Sequence, residues 1–270
     1  MNGHPQIKAK ILLLFTISLF VFPSCDILTF NKLKPIDGNI IFSVREGYPN
    51  NSITEPRIML LMVTEKMCPC WNWSIVSEIT MRGNEISINV LGIYAPEICF
   101  TAIGPAHSIS FLDIHEGEYL LYFSYKNLTD KYVLSVTDSC IKITGDTSQF
   151  TKPKFKLFWR YPRNSFVYLC GTPTGTSWIC EDFLDTLSSK IDLEEFQFPD
   201  SGEIPYPCSS MGHHYDMPAK YFFYKKEEDF DRAGEILKSY TQNVISQYSG
   251  VGIQLINWKN KRYLSWLLND

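Results

Sequence analysis

The most reactive side chains of this sequence are concentrated in the segment PCSSMGHHYD, which contains Cys208, His213, His214 and Asp216. A cysteine and two histidines can bind zinc, and a cysteine with a histidine is the pair that cysteine-dependent hydrolases use. Adjacent histidines on an extended chain point in opposite directions, however, and a hydrolytic cysteine takes its histidine from a distant part of the fold. We therefore expect a structural loop here, with no catalytic residue and no metal site. The alternative is an exported metal- or cysteine-dependent hydrolase that uses Cys208, His213 and His214.

A second segment, LCGTPTGTSWICEDFL, has the order of elements found in phosphate sites: a strand, a glycine-containing loop and a helix. A nucleotide phosphate loop needs a lysine directly after its last glycine, and here Gly175 is followed by Thr176. Cys170 and Cys180 flank the loop, and a disulfide between them would hold the strand against the first helical turn. We expect that disulfide and no nucleotide, with a glycan-type ligand loop as the alternative. Cys208 is an equal candidate for pairing with either cysteine.

Seven of the eight cysteines are disulfide candidates, and because seven is odd at least one thiol must be left over. Cys68 and Cys70 are at i and i+2, a spacing that suits a shared metal or a strained, reducible disulfide. No second cysteine pair is present to complete a metal site. We expect one of them to bridge to Cys99 or Cys140 and the other to be a candidate for the unpaired thiol. The candidates are Cys68, Cys70, Cys99, Cys140, Cys170, Cys180 and Cys208.

The N-terminal segment has the form of a signal peptide. Lys8 and Lys10 precede the apolar run ILLLFTISLFVF, which is too short to span a bilayer comfortably. Ser24 then directly precedes Cys25, and a small residue before a cysteine at the end of an apolar run resembles the lipobox of bacterial lipoproteins. The resemblance implies cleavage before Cys25 and a diacylglycerol on its thiol.

Under this interpretation residues 1–24 are a signal peptide and residues 25–35 are a lipid-anchored tether. The mature chain has two lysines fewer than the full sequence, so its formal charge is 23 − 29 = −6. A mildly acidic exported protein lacks the excess of positive charge that binds nucleic acid. The expected location is the bacterial cell envelope. The expected partners are a membrane, reached through the lipid anchor, and a glycan or another protein.

Residues 36–148 are predicted to form an all-β sandwich. Apolar and polar residues alternate, most clearly in YLLYFSY and KYVLSVT, and Phe100–Ile103 is expected to continue the sheet. The run DIHEGEYLLYF, with Asp113, Gly117 and Tyr119, resembles the tyrosine corner of immunoglobulin-like and fibronectin-type-III-like sandwiches. The resemblance implies a tyrosine hydroxyl that hydrogen-bonds back across the preceding turn. It also implies a spacer or binding platform, without indicating any chemistry.

Residues 152–270 are predicted to form a second domain, an α+β two-layer sandwich, after the polar segment DTSQFTKPK. The chain is long enough for two domains, and its 18 Phe, 15 Tyr and 6 Trp are ample for two cores. Apolar residues recur at helical spacing from Ile179 to Ile191 and from about Glu227 to Gln247. The order of strands and helices is similar to that of ferredoxin-like modules, which include septal peptidoglycan-binding domains of bacteria. This similarity implies two helices over one face of a mostly antiparallel sheet.

Together these features favour a lipid-anchored binding or envelope-assembly protein that has no catalytic activity and no cofactor. Aromatic faces stack on sugar rings, so exposed tryptophans would favour a glycan ligand. The tryptophans in question are Trp71, Trp73, Trp159 and Trp178. Besides the hydrolase, a purely structural lipoprotein is the remaining alternative.

Overall fold

The computed structural model describes residues 33–209, 212 and 214–268, except for the side chains of Asp146 and Thr147. The predicted signal peptide and the lipidation site Cys25 lie outside the described residues. The residues from Leu33 onward form one compact unit that is mostly β-sheet with two α-helices. Among the described residues, no helix is long and apolar enough to cross a membrane. The division into two separate domains is not confirmed.

The first sheet is built from the eleven strands that precede residue 160, and it is mixed. The strands are β1 (Leu33–Lys34), β2 (Ile40–Gly47), β3 (Arg57–Cys68), β4 (Ser74–Arg82), β5 (Glu85–Tyr94), β6 (Gly104–Phe111), β7 (Gly117–Tyr125), β8 (Leu128–Val136), β9 (Cys140–Thr147), β10 (Thr151–Pro153) and β11 (Leu157–Trp159). The order of strands in the sheet is β10-β2-β3-β6-β4-β5-β7-β8-β9-β11, with β1 paired to β5. Most neighbours are antiparallel, but β10–β2, β4–β6 and β5–β7 are parallel.

This sheet curls around one apolar core. Phe42 on β2 contacts Phe123 on β7 and Tyr132 on β8, with ring centroids 4.5 and 5.0 Å apart, although these strands are far apart in the order of the sheet. Such contacts require the two ends of the sheet to face each other, which is compatible with a β-sandwich. On β5 the buried Ile86 and Ile88 alternate with exposed residues, as the period-two pattern predicts.

The turn before β7 has the hydrogen bonds that the tyrosine-corner resemblance implies. The Tyr119 hydroxyl donates to the His115 carbonyl at 3.1 Å and accepts from the His115 N–H at 3.2 Å. Gly117, between them, has a φ of 151°, which an L side chain rarely adopts. The local feature is therefore present in this β-rich part of the chain.

Two segments of this part differ from the sequence-based expectation. Phe100–Ile103 is not a strand, because it belongs to a loop that the neighbouring residues 70–73 hold by hydrogen bonds and a disulfide. The polar segment that was expected to be a domain boundary contains β10, which pairs with β2 at the edge of the first sheet. Polarity alone did not identify β10, since an edge strand exposes part of its surface to water.

The second sheet has six strands and carries both helices on one face. Its order is β13-β15-β12-β16-β17, all antiparallel, with β14 paired to β12. Phe183 of α1 and Phe230 of α2 pack in one cluster with Phe166 and Tyr168 of the central strand. The elements are β12 (Ser165–Thr172), α1 (Trp178–Ser188), β13 (Leu193–Phe196), β14 (Tyr215–Asp216), β15 (Lys220–Tyr224), α2 (Glu227–Asn243), β16 (Gly252–Asn257) and β17 (Arg262–Leu264).

The opposite face of the second sheet is covered by the segment after β13. Val167 and Leu169 of β12 pack against Tyr206 and Tyr221, with Phe198 beside them. Every residue of β12 is therefore buried, as expected for a central strand that is covered on both faces. The segment also pairs with the first sheet, since Glu203 donates its N–H to Leu157 and accepts from the N–H of Trp159.

Candidate functional site

The loop between β12 and α1 is held by the disulfide that its flanking cysteines predict. Cys170 and Cys180 are bonded, both are buried, and their Cα atoms are 5.6 Å apart. The Tyr168 hydroxyl donates to the Cys180 carbonyl at 2.8 Å and ties the same strand to the helix a second time. The loop is thus fixed to the core at both ends.

The geometry of this loop does not resemble a phosphate cradle. A Cβ atom added to Gly175 would meet nothing within 4 Å, so no backbone closes around this position. The Thr176 hydroxyl donates to the Pro173 carbonyl at 3.1 Å and stabilises the turn itself. Thr174 and Gly175 lie exposed at the surface. The loop is therefore an open polar rim at the start of α1.

An exposed aromatic pair lies at this rim. Trp178, the first residue of α1, is 47% exposed, and Tyr248, which follows α2, is 39% exposed. Their ring centroids are 5.9 Å apart and the rings are nearly perpendicular, at 85°. We call these two residues, with Thr174 and Gly175, the aromatic ledge. Sequence reasoning identified Trp178 but not Tyr248, because the two are far apart in the chain and no local pattern links them.

The other three tryptophans that sequence analysis considered have different surroundings. Trp73 is half-buried beneath Lys34, whose Nζ lies 4.3 Å from the ring centroid. Trp159 is half-buried, and its indole N–H donates to the Ser201 carbonyl at 2.7 Å. Trp71 is exposed and stacks on the His107 ring, at a centroid distance of 5.5 Å. Trp71 and Trp178 are therefore the two of the four that offer an open ring face.

The segment with the reactive side chains shows no assembled site in the described residues. Cys208 and His214 are exposed, Asp216 lies half-buried in β14, and His213 is outside the described residues. No group of three or more potential metal ligands occurs among the residues that the structure describes. The expectation that Cys208 is an equal candidate for pairing with Cys170 or Cys180 is wrong, because these two bond to each other.

The second disulfide joins Cys70 to Cys99, so Cys70 rather than Cys68 is the bridging member of the CPC sequence. Cys68 is the last residue of β3 and is buried, whereas Cys70 lies in the turn that follows. Cys68, Cys140 and Cys208 are outside the disulfides. Two disulfides indicate an oxidising compartment outside the cytoplasm, as the signal-like segment predicts.

The turns joined by this second disulfide expose an apolar cluster that sequence analysis missed. We define the apolar tip as residues 67–73 and 94–104, which connect the ends of β3, β4, β5 and β6. A sequence signal did exist, since residues 67–73 and 95–103 contain one charged residue, Glu97. The exposed apolar side chains are Met67, Trp71, Ile98, Phe100 and Ile103, each more than half exposed.

A buried polar joint connects the two sheets. Glu46, at the end of β2, accepts from Arg160 Nε at 2.8 Å and from the Tyr161 N–H at 2.7 Å. Burial raises the pKa of the Glu46 carboxyl, while these two hydrogen bonds act to lower it. The Tyr48 hydroxyl donates to the Trp258 carbonyl at 2.8 Å, and burial raises its pKa as well.

A cavity of about 340 Å³ lies beside the joint and is lined by Glu46, Tyr48, Tyr161, Arg45 and Arg262, among others. Glu46 and both tyrosine hydroxyls are already hydrogen-bonded to protein groups. We therefore interpret this region as the structural connection between the two sheets.

A scan against protein-family models, a search of curated proteins and a search of solved structures each found no match to this chain.

Proposed function

We propose that this protein is exported, anchored to a bacterial envelope membrane through a lipid on Cys25, and binds a glycan of the envelope at the aromatic ledge without catalysing a reaction. The observation that carries the proposal is the pair of open rings, Trp178 and Tyr248, beside the polar rim of the loop. Peptidoglycan is the glycan that best fits an envelope location.

The ledge offers the two kinds of contact that a sugar needs. The C–H face of a pyranose ring packs on an aromatic face, and two rings at 85° present faces in two directions to one chain of sugars. The exposed Thr174 supplies a hydroxyl group at the same place. Because the Cys170–Cys180 disulfide fixes the loop before binding, little ordering of the protein opposes association.

The fold supports different roles for the two sheets. The order β13-β15-β12-β16 with both helices on one face supports a ferredoxin-like assignment for the second part, and the Tyr119 turn supports an immunoglobulin-like one for the first. We infer that the first part is a spacer and the second part the binding module. The two disulfides support the exported location.

The test is co-sedimentation of the unlipidated chain from Asp26 with insoluble peptidoglycan. Trp178→Ala and Tyr248→Ala should each weaken binding about tenfold, since each removes one stacking face. Trp71→Ala is the matched control, because this tryptophan is about as exposed as Trp178 but lies in the turn between β3 and β4 of the first sheet. Full binding by both ledge variants, or a loss confined to Trp71→Ala, would overturn the ledge as the site.

Lipidation is tested separately, by the mass of the membrane form of the wild-type chain and of Cys25→Ser.

A further inference from the structure

The apolar tip is a rigid structure rather than a loose loop. The Trp71 N–H donates to the Ala102 carbonyl at 2.6 Å, and Asn72 Nδ2 donates to the Ile98 carbonyl at 2.7 Å. The Phe100 N–H in turn donates to the Asn72 side-chain oxygen at 3.3 Å. Together with the Cys70–Cys99 disulfide, these contacts hold the two turns side by side. The apolar side chains are therefore held in water instead of folding back on the core.

Such an exposed apolar cluster indicates a surface that contacts something apolar. Single exposed hydrophobic residues are normal, but a contiguous cluster marks an interaction site. The cluster combines aliphatic side chains with Trp71 and Phe100, and Lys34 lies at the same end, exposed, over the ring of Trp73. Tryptophan is enriched at membrane–water interfaces, and lysine is attracted to anionic lipid headgroups. These are the residue types of a surface that meets a lipid bilayer.

The path of the chain identifies which apolar surface is near. Leu33 is the first described residue, and it pairs antiparallel with Tyr94, the last residue of β5 and the first of the tip's second segment. The chain therefore enters the compact unit at the same end as the tip. Cys25 precedes Leu33 by eight residues, which span at most about 28 Å when fully extended. A lipid on Cys25 would hold this end of the unit within that distance of the bilayer.

We propose that the apolar tip inserts into the interfacial layer of the membrane that holds the Cys25 lipid, and so provides a second membrane contact. That the tip contacts a membrane, and not another protein, rests on the lipid anchor in the proposed function. The second sheet contacts the opposite end of the first, since Thr54, just before β3, donates its N–H to the Lys259 carbonyl. The twelve-residue strand β3 spans about 40 Å between the two ends. Two contacts at one end would orient the second sheet away from the bilayer.

The test is flotation of the chain from Asp26, which includes the whole compact unit and carries no lipid, with vesicles of phosphatidylethanolamine containing phosphatidylglycerol as the minor lipid. The wild-type chain should float with the vesicles. Phe100→Asp with Ile103→Asp should reduce the bound fraction at least about tenfold, because a charged side chain is costly to insert. The matched control is Trp266→Asp with Leu267→Asp. These residues are 49% and 67% exposed, against 56% and 74% for the tip pair, and they lie in the second part of the chain.

Four outcomes would overturn the proposal. The wild-type chain could fail to float, the tip variant could bind as well as the wild type, or both double variants could lose binding equally. The fourth is a concentration-dependent dimer that the tip variant abolishes without any vesicle binding, which would make the tip an interface between copies. If the aspartate variant does not melt like the wild type, Ile98→Ser replaces it, since Ile98 is 76% exposed. The assay needs neither lipidation nor a glycan, so its result is independent of the Trp178 and Cys25 tests.

Discussion

The apolar tip and the aromatic ledge use the same structural device in opposite surroundings. In each, a disulfide holds chain segments at the end of a sheet, and a tryptophan in or next to the connecting loop is exposed. Around Trp71 the neighbours are aliphatic and aromatic side chains. Around Trp178 they are one tyrosine and a polar loop. Under the two proposals the same residue type contacts lipid in one place and sugar in the other, because its neighbours are apolar at the tip and polar at the ledge.

The two disulfides also differ in how far their cysteines are exposed to water. Cys170 and Cys180 are both completely buried, so their bond is part of the core of the second sheet. Cys99 lies exposed at the tip, and its partner Cys70 is buried beneath it. The Cys170–Cys180 disulfide therefore stabilises the core beneath the aromatic ledge, whereas the Cys70–Cys99 disulfide lies at the surface and holds the apolar tip together.

The largest expected difference between the two regions is the rate of reduction in the folded protein. A small thiol reductant can reach Cys99 directly, whereas reduction of Cys170–Cys180 requires local opening that costs several kcal/mol. We expect the tip disulfide to be reduced at least about a hundredfold faster. Timed alkylation followed by peptide mass spectrometry measures both rates in one sample. Equal rates would mean that the two regions open together, and the contrast between them would fail.

The Glu46 joint connects the sheet that carries the tip to the sheet that carries the ledge, so its removal should destabilise the whole compact unit. Glu46→Ala leaves Arg160 Nε and the Tyr161 N–H without their acceptor, which should lower the free energy of unfolding by about 2 kcal/mol. Glu116→Ala is the control, because Glu116 is exposed and lies 3.8 Å from the same Arg160; its effect should be within about 0.5 kcal/mol.

The pH dependence of the Glu46→Ala effect follows from the raised pKa of this carboxyl. A carboxyl whose folded pKa exceeds its unfolded value of about 4.3 contributes stability that is fully present below that value. That contribution is lost as the pH rises through the folded pKa. The destabilisation by Glu46→Ala should therefore be larger at acidic pH than at neutral pH. Urea unfolding of the wild type and of Glu46→Ala between acidic and neutral pH measures this difference in the free energy of unfolding. The opposite trend would show that the interaction with Arg160 outweighs burial and lowers the pKa of the carboxyl.

The smallest effect is expected from the reactive segment, and it tests whether the ledge is the site of the second part. Replacing His213 and His214 together by alanine should leave the melting temperature and peptidoglycan binding unchanged, since His214 is exposed and exposed side chains contribute little to stability. Metal content should be measured on the same samples. Stoichiometric zinc that is lost in the variant would contradict this, and would favour the exported hydrolase with Cys208.

Much of the local structure was predictable because it depends on near neighbours in the chain. Period-two alternation identified β5, and helical spacing identified α1 and α2, since each pattern reflects which side of one element faces a core. The Tyr119 turn and the Cys170–Cys180 bond span four and ten positions and were also predictable. The spacing of these residues along the chain nearly determines their spacing in the fold.

What the sequence by itself determined is therefore the kind of elements, the turn chemistry, the acidic net charge and the short-range disulfide. Only the tertiary structure decided that Cys70 bonds to Cys99, that Tyr248 meets Trp178, and that Glu46 meets Arg160 across 114 positions. It also placed Phe100 and Ile103 in water, where alternation alone had suggested a strand. The physical reason is that distant contacts depend on how whole sheets pack against each other, and no local pattern encodes that packing.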